Sequence, residues 1–207
     1  MIYAINKHNR SDFSRELDTM HRDRKRVFVD WLKWNVPVVD GIYEKDQFDN
    51  DDAVYIVAAD PKTGQHWGSL RLMPSTRPHM LNEVFSVLCE DGVPIGPDIW
   101  EMTRICLSPS ISREQGREAL GMTWLGAVEF AMENNIRIIT GLTHSVFISN
   151  ILAAGIDIEP LGPATMFDGM QFSALQVRID ERVRTRERAR LEQKSSILAY
   201  RRSAAAA

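Results

Sequence analysis

The stretch IWEMTRICLSPSISREQGREALG, residues 99–121, predicts a strand that leads through a short loop directly into a helix. Its first part has the apolar character of a buried strand, which Glu101 and Arg104 interrupt. Strict alternation would place these two side chains on opposite faces, whereas a β-bulge between them would bring both to one side. From residue 112 onward apolar residues recur at helical spacing, so we expect a long helix over 112–134. A strand joined to a helix in this way is typical of α/β folds.

The remaining elements extend this unit into a layered fold. Strands are expected at 2–5, 53–60, 66–74, 136–142 and 172–180, and further helices at 11–34 and 145–154. The order, roughly βαββ, βα, βα, β, indicates an α/β protein, a three-layer αβα sandwich with a mixed, mostly antiparallel sheet. We expect a single domain over residues 1–207, in which about 181–207 form an arginine-rich C-terminal helix and tail.

Composition places the chain among ordinary globular proteins. Hydrophobic residues make up 44% and charged residues 26%, and the formal net charge of -3 gives no reason to expect a nucleic-acid partner. No apolar run approaches the roughly 18 to 20 residues that span a bilayer, and the N-terminus is too polar for a signal peptide. Cys89 and Cys106 lack the spacing of a metal site. We therefore expect a cytoplasmic protein with reduced cysteines, no membrane span and no metal.

The stretch EKDQFDND, residues 44–51, concentrates acidic residues around Phe48. Three interpretations compete: a solvated loop, a calcium loop and a site for a cationic substrate. The spacing argues against calcium, because an EF-hand loop needs acids at its first, third and fifth positions and a glycine at its sixth. The solvated loop and the cationic-substrate site both stay open on composition alone.

Arg24 lies inside the apolar stripe of the first predicted helix, between Met20 and Phe28. A guanidinium there either reaches outward along the edge of the stripe or faces inward, where it needs carboxylate partners. Asp46 or Asp49 is the expected partner. The result is a balanced set of charges, either purely architectural or suited to a zwitterionic ligand, made of Arg24, Arg71, Arg104, Asp46, Asp49 and Glu101.

In this order and spacing, these residues resemble the LuxI-type acyl-homoserine lactone synthases. The resemblance is carried by Arg24-x3-Phe28-x5-Trp34, Glu44-x-Asp46-x-Phe48-Asp49, Arg71 in SLRL and Glu101-x2-Arg104. It runs through the first ~105 residues and continues more loosely to about residue 180. It implies a fold similar to that of the general N-acetyltransferases, which carry a bulge in the corresponding strand.

The resemblance implies an enzyme that makes a quorum-sensing signal from S-adenosylmethionine and an acyl thioester, carried by acyl carrier protein or by coenzyme A. N-acylation is followed by lactonisation and release of methylthioadenosine, and S-adenosylmethionine is a substrate rather than a cofactor. Two alternatives stay open. One is a general acyl-CoA-dependent N-acyltransferase that acts on another amine, and the other is a binding module for an acyl thioester without turnover.

For this activity the expected catalytic residues are Glu101 and Arg104, with Glu101 as the general base for the amine, directly or through one water. Asp49 and Arg71 are expected to form structural ion pairs near the site. S-adenosylmethionine is expected to meet aromatic faces and charges from Arg24, Phe28, Trp34, Asp46 and Arg104.

The helix over 112–134 opens with a turn suited to the acyl donor. Arg113 and Gly116 follow the strand directly, and backbone N–H groups at a helix N-terminus bind anions such as pyrophosphate or phosphopantetheine. The hydroxyl of Thr140 could donate to a 3-oxo group, while chain length stays open. The acyl chain is expected to contact residues that could each equally be plain core, namely Met122, Thr140, Leu142, Phe147, Ile148 and Leu152.

Overall fold

The computed structural model describes residues 1–167 and 169–199, so the predicted tail at 200–207 lies outside the described residues. The strands are β1 (Ile2–Ile5), β2 (Val38–Val39), β3 (Tyr43–Glu44), β4 (Val54–Ala59), β5 (His66–Pro74), β6 (Ile99–Leu107), β7 (Ile138–His144), β8 (Glu159–Pro160), β9 (Thr165–Phe167) and β10 (Met170–Arg178). The α-helices are α1 (Ser14–Arg24), α2 (Met80–Glu83), α3 (Arg113–Glu133), α4 (Ile148–Ala153) and α5 (Glu181–Arg190). None of these helices has the length and apolar character needed to cross a membrane.

The large sheet has eight strands in the hydrogen-bonded order β1-β4-β5-β6-β7-β10-β8, with β9 pairing with β10, and β2 and β3 form a separate hairpin. β6 and β7 are parallel, with Glu101 opposite Thr140, whereas β1 with β4, β4 with β5 and β7 with β10 are antiparallel. The predicted α/β class with a mixed, mostly antiparallel sheet is therefore confirmed. The sequence does not predict β2, β3, β8 and β9, because strands of two or three residues carry too little alternation to be recognised.

The chain forms two compact units, and β5 and β6 contribute residues to both. The first unit contains residues 1–72, 104–130 and the described part of 181–207. The second contains the described residues of 73–103 and 131–180. The organisation of residues 1–207 as a single domain stays a prediction.

In the first unit, β1 and β4 are buried along their whole lengths, and α3 packs against them. Gly126 makes this approach possible, because a Cβ added there would come within 2.7 Å of the Ile2 side chain and 3.0 Å of the Ile56 side chain. The apolar residues of α3 surround the helix rather than forming one stripe, which is expected of a helix buried in a core.

The first predicted helix is not one regular helix. A 3-10 turn (Arg10–Phe13) precedes α1, and a π-helical segment (Lys25–Trp31) follows it. Met20 and Phe28 of the predicted stripe are buried, but Trp31, three residues after Phe28 in the same predicted helix, is 66% exposed. A π-helical turn takes more residues than an α-helical turn, so the side chains at the end of this segment leave the register that the α-helical spacing predicts.

In the second unit, β7 and β10 pair from His144 opposite Phe172 to Ile138 opposite Arg178. A hydrophobic cluster includes side chains from α2 and the following 3-10 turn. Its buried members are Leu81, Leu88, Cys89 and Ala174, and the partly buried residues packed against them are Phe85, Val93, Leu142, Leu161 and Phe172.

Candidate active site

Six charged side chains of the first unit form a buried network of ion pairs. The Arg24 guanidinium contacts Glu44 Oε2 at 2.5 Å and donates two hydrogen bonds of 2.8 Å to the two carboxylate oxygens of Asp49. Its side chain is only 1% exposed. Arg24 therefore faces inward, and Asp49 is the partner among the two that the sequence suggests. A guanidinium at this depth without such partners would destabilise the fold.

Arg71 and Arg104 extend the network through Asp46. Arg71 donates to Asp46 Oδ1 at 2.6 Å and to Oδ2 at 3.1 Å, and it lies 3.0 Å from Asp49 Oδ1. Arg104 donates to Asp46 Oδ2 at 2.6 Å and to Glu44 Oε1 at 3.0 Å. The acidic stretch is therefore not a solvated loop. We call the following residues the ion-pair network: Arg24, Glu44, Asp46, Asp49, Arg71 and Arg104.

Glu44 is a member of the network that the predicted set of charges lacks. It lies in β3, whose hairpin with β2 the sequence does not reveal, and it is 0% exposed. Glu44 and Asp46 are two residues apart, and side chains at this spacing lie on the same face of an extended chain. That spacing is the signal in the sequence by which Glu44 could have been identified.

The network also shifts the pKa values of Asp49, one of its members, and of the neighbouring Tyr55 and His21. Burial alone would raise the pKa of Asp49, but the charge and hydrogen bonds of Arg24 and the charge of Arg71 hold it well below its ordinary range. Burial and the Asp49 carboxylate raise the pKa of Tyr55, whose hydroxyl donates to Asp49 Oδ1 at 2.8 Å. Burial and the Arg24 charge lower the pKa of His21 to about 3, so this imidazole is neutral at pH 7.

The backbone of β6 becomes irregular at Arg104, where φ is 53°. A residue with a side chain is uncommon in this left-handed region, and holding it there costs on the order of 1–3 kcal/mol. The irregularity ends the regular alternation of side chains and places the Arg104 guanidinium in the ion-pair network. Glu101 and Arg104 were expected to flank a bulge, and the structure has its irregularity at Arg104 itself.

Phe28 and Trp34 form an aromatic pair next to Arg104. Their rings are stacked, with centroids 5.0 Å apart and an angle of 7° between the planes. The Arg104 guanidinium lies 5.8 Å from the centroid of the Phe28 ring. Phe28 is buried, whereas Trp34 is 37% exposed. An indole with this much free surface can contact a planar or cationic ligand.

Glu101 belongs to the second unit and is 0% exposed. Its Oε2 accepts a hydrogen bond from the Met80 N–H at 2.9 Å, and its Oε1 accepts one from the Leu81 N–H at 2.6 Å. These two donors are the first amides of α2, and they hold the carboxylate in one orientation. Thr140, opposite Glu101 on β7, places its side chain on the same face of the sheet.

The residues expected along the acyl chain differ in their exposure. Thr140 is buried, and its hydroxyl is 3.5 Å from the Trp100 carbonyl oxygen, at the limit of a hydrogen bond. Leu142 packs against the hydrophobic cluster of the second unit. Phe147 and Leu152 are each 53% exposed, so they present an apolar surface rather than core. Ile148, which begins α4, is half-buried.

The first turn of α3 is partly occupied by its own cap. Ser112 Oγ accepts a hydrogen bond from the Gln115 N–H at 3.2 Å, and Gln115 Oε1 accepts one from the Ser112 N–H at 3.0 Å. This capping box uses an N–H group that the predicted anion site would need. Arg113 is exposed, Gly116 is buried, and Met122, further along the helix, is half-buried. A Cβ added at Gly116 would make an ordinary contact of 3.6 Å, so packing does not require glycine there.

The described residues contain neither a group of side chains arranged to bind a metal ion nor a thiol suited to act as a nucleophile. Within residues 1–167 and 169–199, no group of three or more His, Cys, Asp or Glu side chains is arranged to hold a metal ion. Cys89 and Cys106 are buried free thiols, and burial raises the pKa of Cys106 to about 12. A thiol with so high a pKa is not ionised at neutral pH and is a poor nucleophile.

Known proteins are similar to this chain in both sequence and structure. The family model for autoinducer synthases matches residues 7–188. The acyl-homoserine-lactone synthase of Ralstonia nicotianae is 33% identical over 162 residues, which cover 76% of this chain and 79% of that protein.

Among solved structures, BjaI is a CoA-dependent acyl-homoserine lactone synthase determined with S-adenosylmethionine and isopentyl-CoA. Its TM-score is 0.87 at 27% identity, with 96% of this chain and 92% of that chain covered. TofI, in a ternary complex with an inhibitor and methylthioadenosine, has a TM-score of 0.73 at 27% identity, with 94% and 96% covered.

A more distant structure extends the likeness of the fold. An acyl-CoA N-acyltransferase from Pseudomonas aeruginosa has a TM-score of 0.53 at 15% identity, and the match covers 86% of this chain and 99% of that chain. This likeness concerns the fold alone and confirms the expected similarity to the N-acetyltransferases. The family match and the relatives show that the chain belongs to the autoinducer synthase family, the LuxI-type acyl-homoserine lactone synthases, and that it is an acyltransferase that acts in quorum sensing.

Proposed function

We propose that this synthase acylates the amine of S-adenosylmethionine with an acyl thioester and then closes the lactone, releasing methylthioadenosine. The observation that supports this most is the ion-pair network beside the stacked pair of Phe28 and Trp34. S-adenosylmethionine carries a sulfonium, an ammonium and a carboxylate. A site for it needs aromatic surface, carboxylates and a guanidinium near one another, and the first unit supplies all three.

In this proposal Phe28 and Trp34 contact the adenine or the sulfonium, a cation–π contact that contributes about 0.5 to 2 kcal/mol. Arg104 binds the substrate carboxylate, because its side chain, at 7%, is the most exposed of the ion-pair network. The Arg24 guanidinium contacts the carboxylates of Glu44 and Asp49 and holds the acidic segment, residues 44–51, in place. Both carboxylate oxygens of Asp46 accept hydrogen bonds from arginines, so Asp46 contributes negative potential to the site rather than a direct contact with the substrate.

Asp49 and Arg71 act as structural members of the network. Asp49 receives hydrogen bonds from Arg24, from the hydroxyl of Tyr55 and from the Asp46 N–H, which leaves little capacity for a ligand. Arg71 is 0% exposed and lies 5.7 Å from the centroid of the Phe48 ring. Their part in the reaction is to hold the acidic segment in place.

Glu101 is the proposed general base of the acylation step. The ammonium of S-adenosylmethionine loses one proton to Glu101, directly or through one water, and the free amine attacks the thioester carbonyl. Backbone N–H groups at the irregularity near Arg104 stabilise the oxyanion of the tetrahedral intermediate. The intermediate collapses as the nitrogen loses a second proton, and the C–S bond breaks. The departing thiolate gains a proton, so one proton is released overall.

Lactonisation follows within the acylated product. An oxygen of the methionine carboxylate attacks its own γ-carbon, and the bond from that carbon to the sulfonium breaks. The electron pair goes to sulfur, and neutral methylthioadenosine leaves. The sulfonium is already an activated leaving group, so the protein mainly supplies the conformation in which carboxylate and γ-carbon meet.

The residues proposed for the acyl chain in the second unit are Thr140, Leu142, Phe147, Ile148 and Leu152, with Thr140 as donor to a 3-oxo group. The exposed faces of Phe147 and Leu152 support this role, because apolar surface of this kind is stabilised when an apolar ligand covers it. Arg113 and Gly116 of α3 are the proposed contacts of the pantetheine arm, and Met122 of α3 is a further proposed contact of the acyl chain. We infer coenzyme A as the donor, since the CoA-dependent enzymes BjaI and MesI have TM-scores of 0.87 and 0.84 with this chain. Acyl carrier protein is the alternative.

The test is a screen of donors with identification of the products. The purified protein is incubated with S-adenosylmethionine and matched acyl-CoA and acyl-carrier-protein thioesters of several lengths, with straight, branched and 3-oxo chains. Mass spectrometry is expected to show acyl-homoserine lactone and methylthioadenosine with at least one CoA donor. If neither product forms with any donor, the proposal is contradicted. Acylation without methylthioadenosine would instead identify a general N-acyltransferase.

A further inference from the structure

His79, in the second unit, is a fully buried histidine whose two ring nitrogens differ in their surroundings. The side chain is 0% exposed. Its Nδ1 lies 2.8 Å from the Arg77 carbonyl oxygen. A carbonyl oxygen can only accept, so the proton of the neutral ring is on Nδ1 and the lone pair is on Nε2.

Nε2 of His79 has no hydrogen-bond partner among residues 1–167 and 169–199. A buried acceptor in this state costs about 1–3 kcal/mol relative to one that is satisfied. Such groups are rare in folded proteins, and each calls for a specific explanation. The explanation that fits an imidazole lone pair is a donor N–H or O–H group supplied from outside the described residues.

His79 directly precedes the two residues whose N–H groups bind Glu101. The next two residues along the chain, Met80 and Leu81, supply the N–H groups that bind the two carboxylate oxygens of Glu101. His79 and the carboxylate of Glu101 are thus linked through the start of α2. The hydrogen bond from Nδ1 to the Arg77 carbonyl oxygen fixes the ring at this point.

We propose that His79 is a positioning residue of the acylation step, whose Nε2 accepts a hydrogen bond from a water molecule that also donates to Glu101. This inference rests on the proposed function. A water that donates to both acceptors has its own lone pairs directed away from them, ready to accept from the ammonium of S-adenosylmethionine. The proton passes from nitrogen to this water while the water passes a proton to Glu101. The ring only accepts a hydrogen bond in this step, and no proton is transferred to it.

Two substitutions test the roles of the two ring nitrogens of His79 one at a time. His79→Asn retains a donor near the position of Nδ1 and removes the acceptor at Nε2. His79→Gln places an acceptor near the position of Nε2 and removes the donor at Nδ1. His8→Asn, at an exposed histidine, is the matched control for the change of residue type. Circular dichroism and thermal unfolding establish that each variant is folded.

Steady-state kinetics with S-adenosylmethionine and an acyl-CoA donor distinguish the outcomes. In His79→Asn we expect kcat to fall by roughly 10- to 100-fold, a share of what a general base contributes, with KM for the acyl donor within about threefold. His79→Gln is expected to recover most of this loss, which a purely structural role of the ring would not allow. Wild-type kcat in His79→Asn, or equal losses in both variants, would overturn the inference. A rise in KM for S-adenosylmethionine at unchanged kcat would also overturn it, because the amine would then contact the ring directly.

Nitrogen-15 NMR of the histidine rings tests the same contact without turnover. We expect the Nε2 signal of His79 to move when S-adenosylmethionine alone is added, while the Nδ1 signal stays in place. An unchanged Nε2 signal at saturating S-adenosylmethionine would overturn the inference. Failure of the proposed function looks different, because the wild-type enzyme would then form no lactone with any donor.

Discussion

Replacing Glu44 with glutamine tests how strongly the ion-pair network stabilises the fold. Glutamine keeps the size of the side chain but removes the charge that Arg24 and Arg104 share, through contacts of 2.5 and 3.0 Å. Glu44 is 0% exposed, so water does not replace the lost contacts. Removing one partner of a buried ion pair costs about 3 to 5 kcal/mol. Arg24 keeps Asp49 and Arg104 keeps Asp46, so we expect a loss at the lower end, about 3 kcal/mol.

Urea unfolding at pH 7, followed by circular dichroism, measures this loss as a change in the free energy of unfolding. The matched control is Glu159→Gln, which removes a carboxylate bonded to Arg178 and Gln176 at the surface, where the Glu159 side chain is 48% exposed. The control is expected to leave the free energy of unfolding unchanged within error, because solvent screens exposed ion pairs. If Glu44→Gln loses no more stability than Glu159→Gln, the network does not stabilise the fold in the way described.

Three further predictions concern other residues of the site. Glu101→Gln is expected to lower kcat by about 100-fold or more without a matching rise in KM, since it removes the proposed base; near-normal kcat would remove Glu101 from that role. Trp34→Ala is expected to raise KM for S-adenosylmethionine by roughly 2- to 30-fold, from a cation–π contact of about 0.5 to 2 kcal/mol, and an unchanged KM would contradict it. The free energy of unfolding is expected to fall as the pH drops below about 6.5, by up to about 1.4 kcal/mol per pH unit. The reason is that His21 binds a proton in the unfolded chain at these pH values, whereas in the folded protein its pKa is about 3 and the buried ring stays neutral. Urea unfolding at pH 7 and pH 5 measures this slope, which should be shallower in His21→Gln; equal slopes would exclude His21 as the cause.

The long elements of the fold could be predicted because each repeats a pattern many times. The helix expected over 112–134 is α3 (Arg113–Glu133), and the strand expected over 66–74 is β5 (His66–Pro74). A two-residue strand such as β3 gives no comparable repeat, so its hairpin was not predicted. Glu44 therefore appears in the motif that carries the resemblance but not among the predicted inward-facing charges.

The candidate site shows the same division between local pattern and tertiary contact. Arg24 could be singled out because it interrupts an apolar stripe, which left an inward and an outward orientation open, and the structure buries it against Asp49. The exposure of Phe147 and Leu152 could not be foreseen, because apolar residues at helical spacing predict burial on one face. Within residues 1–167 and 169–199, Nε2 of His79 has no hydrogen-bond partner, and this depends on tertiary contacts that no local spacing of residues encodes.

The most direct test of the central claim is the stoichiometry of a single turnover. Enzyme in excess over an accepted acyl-CoA is mixed with S-adenosylmethionine, and free coenzyme A, methylthioadenosine and acyl-homoserine lactone are quantified in the same quenched samples. Acylation followed by lactonisation predicts that the three products reach equal final amounts, with free coenzyme A never lagging behind methylthioadenosine. Free coenzyme A without methylthioadenosine, or methylthioadenosine without lactone, would contradict the account.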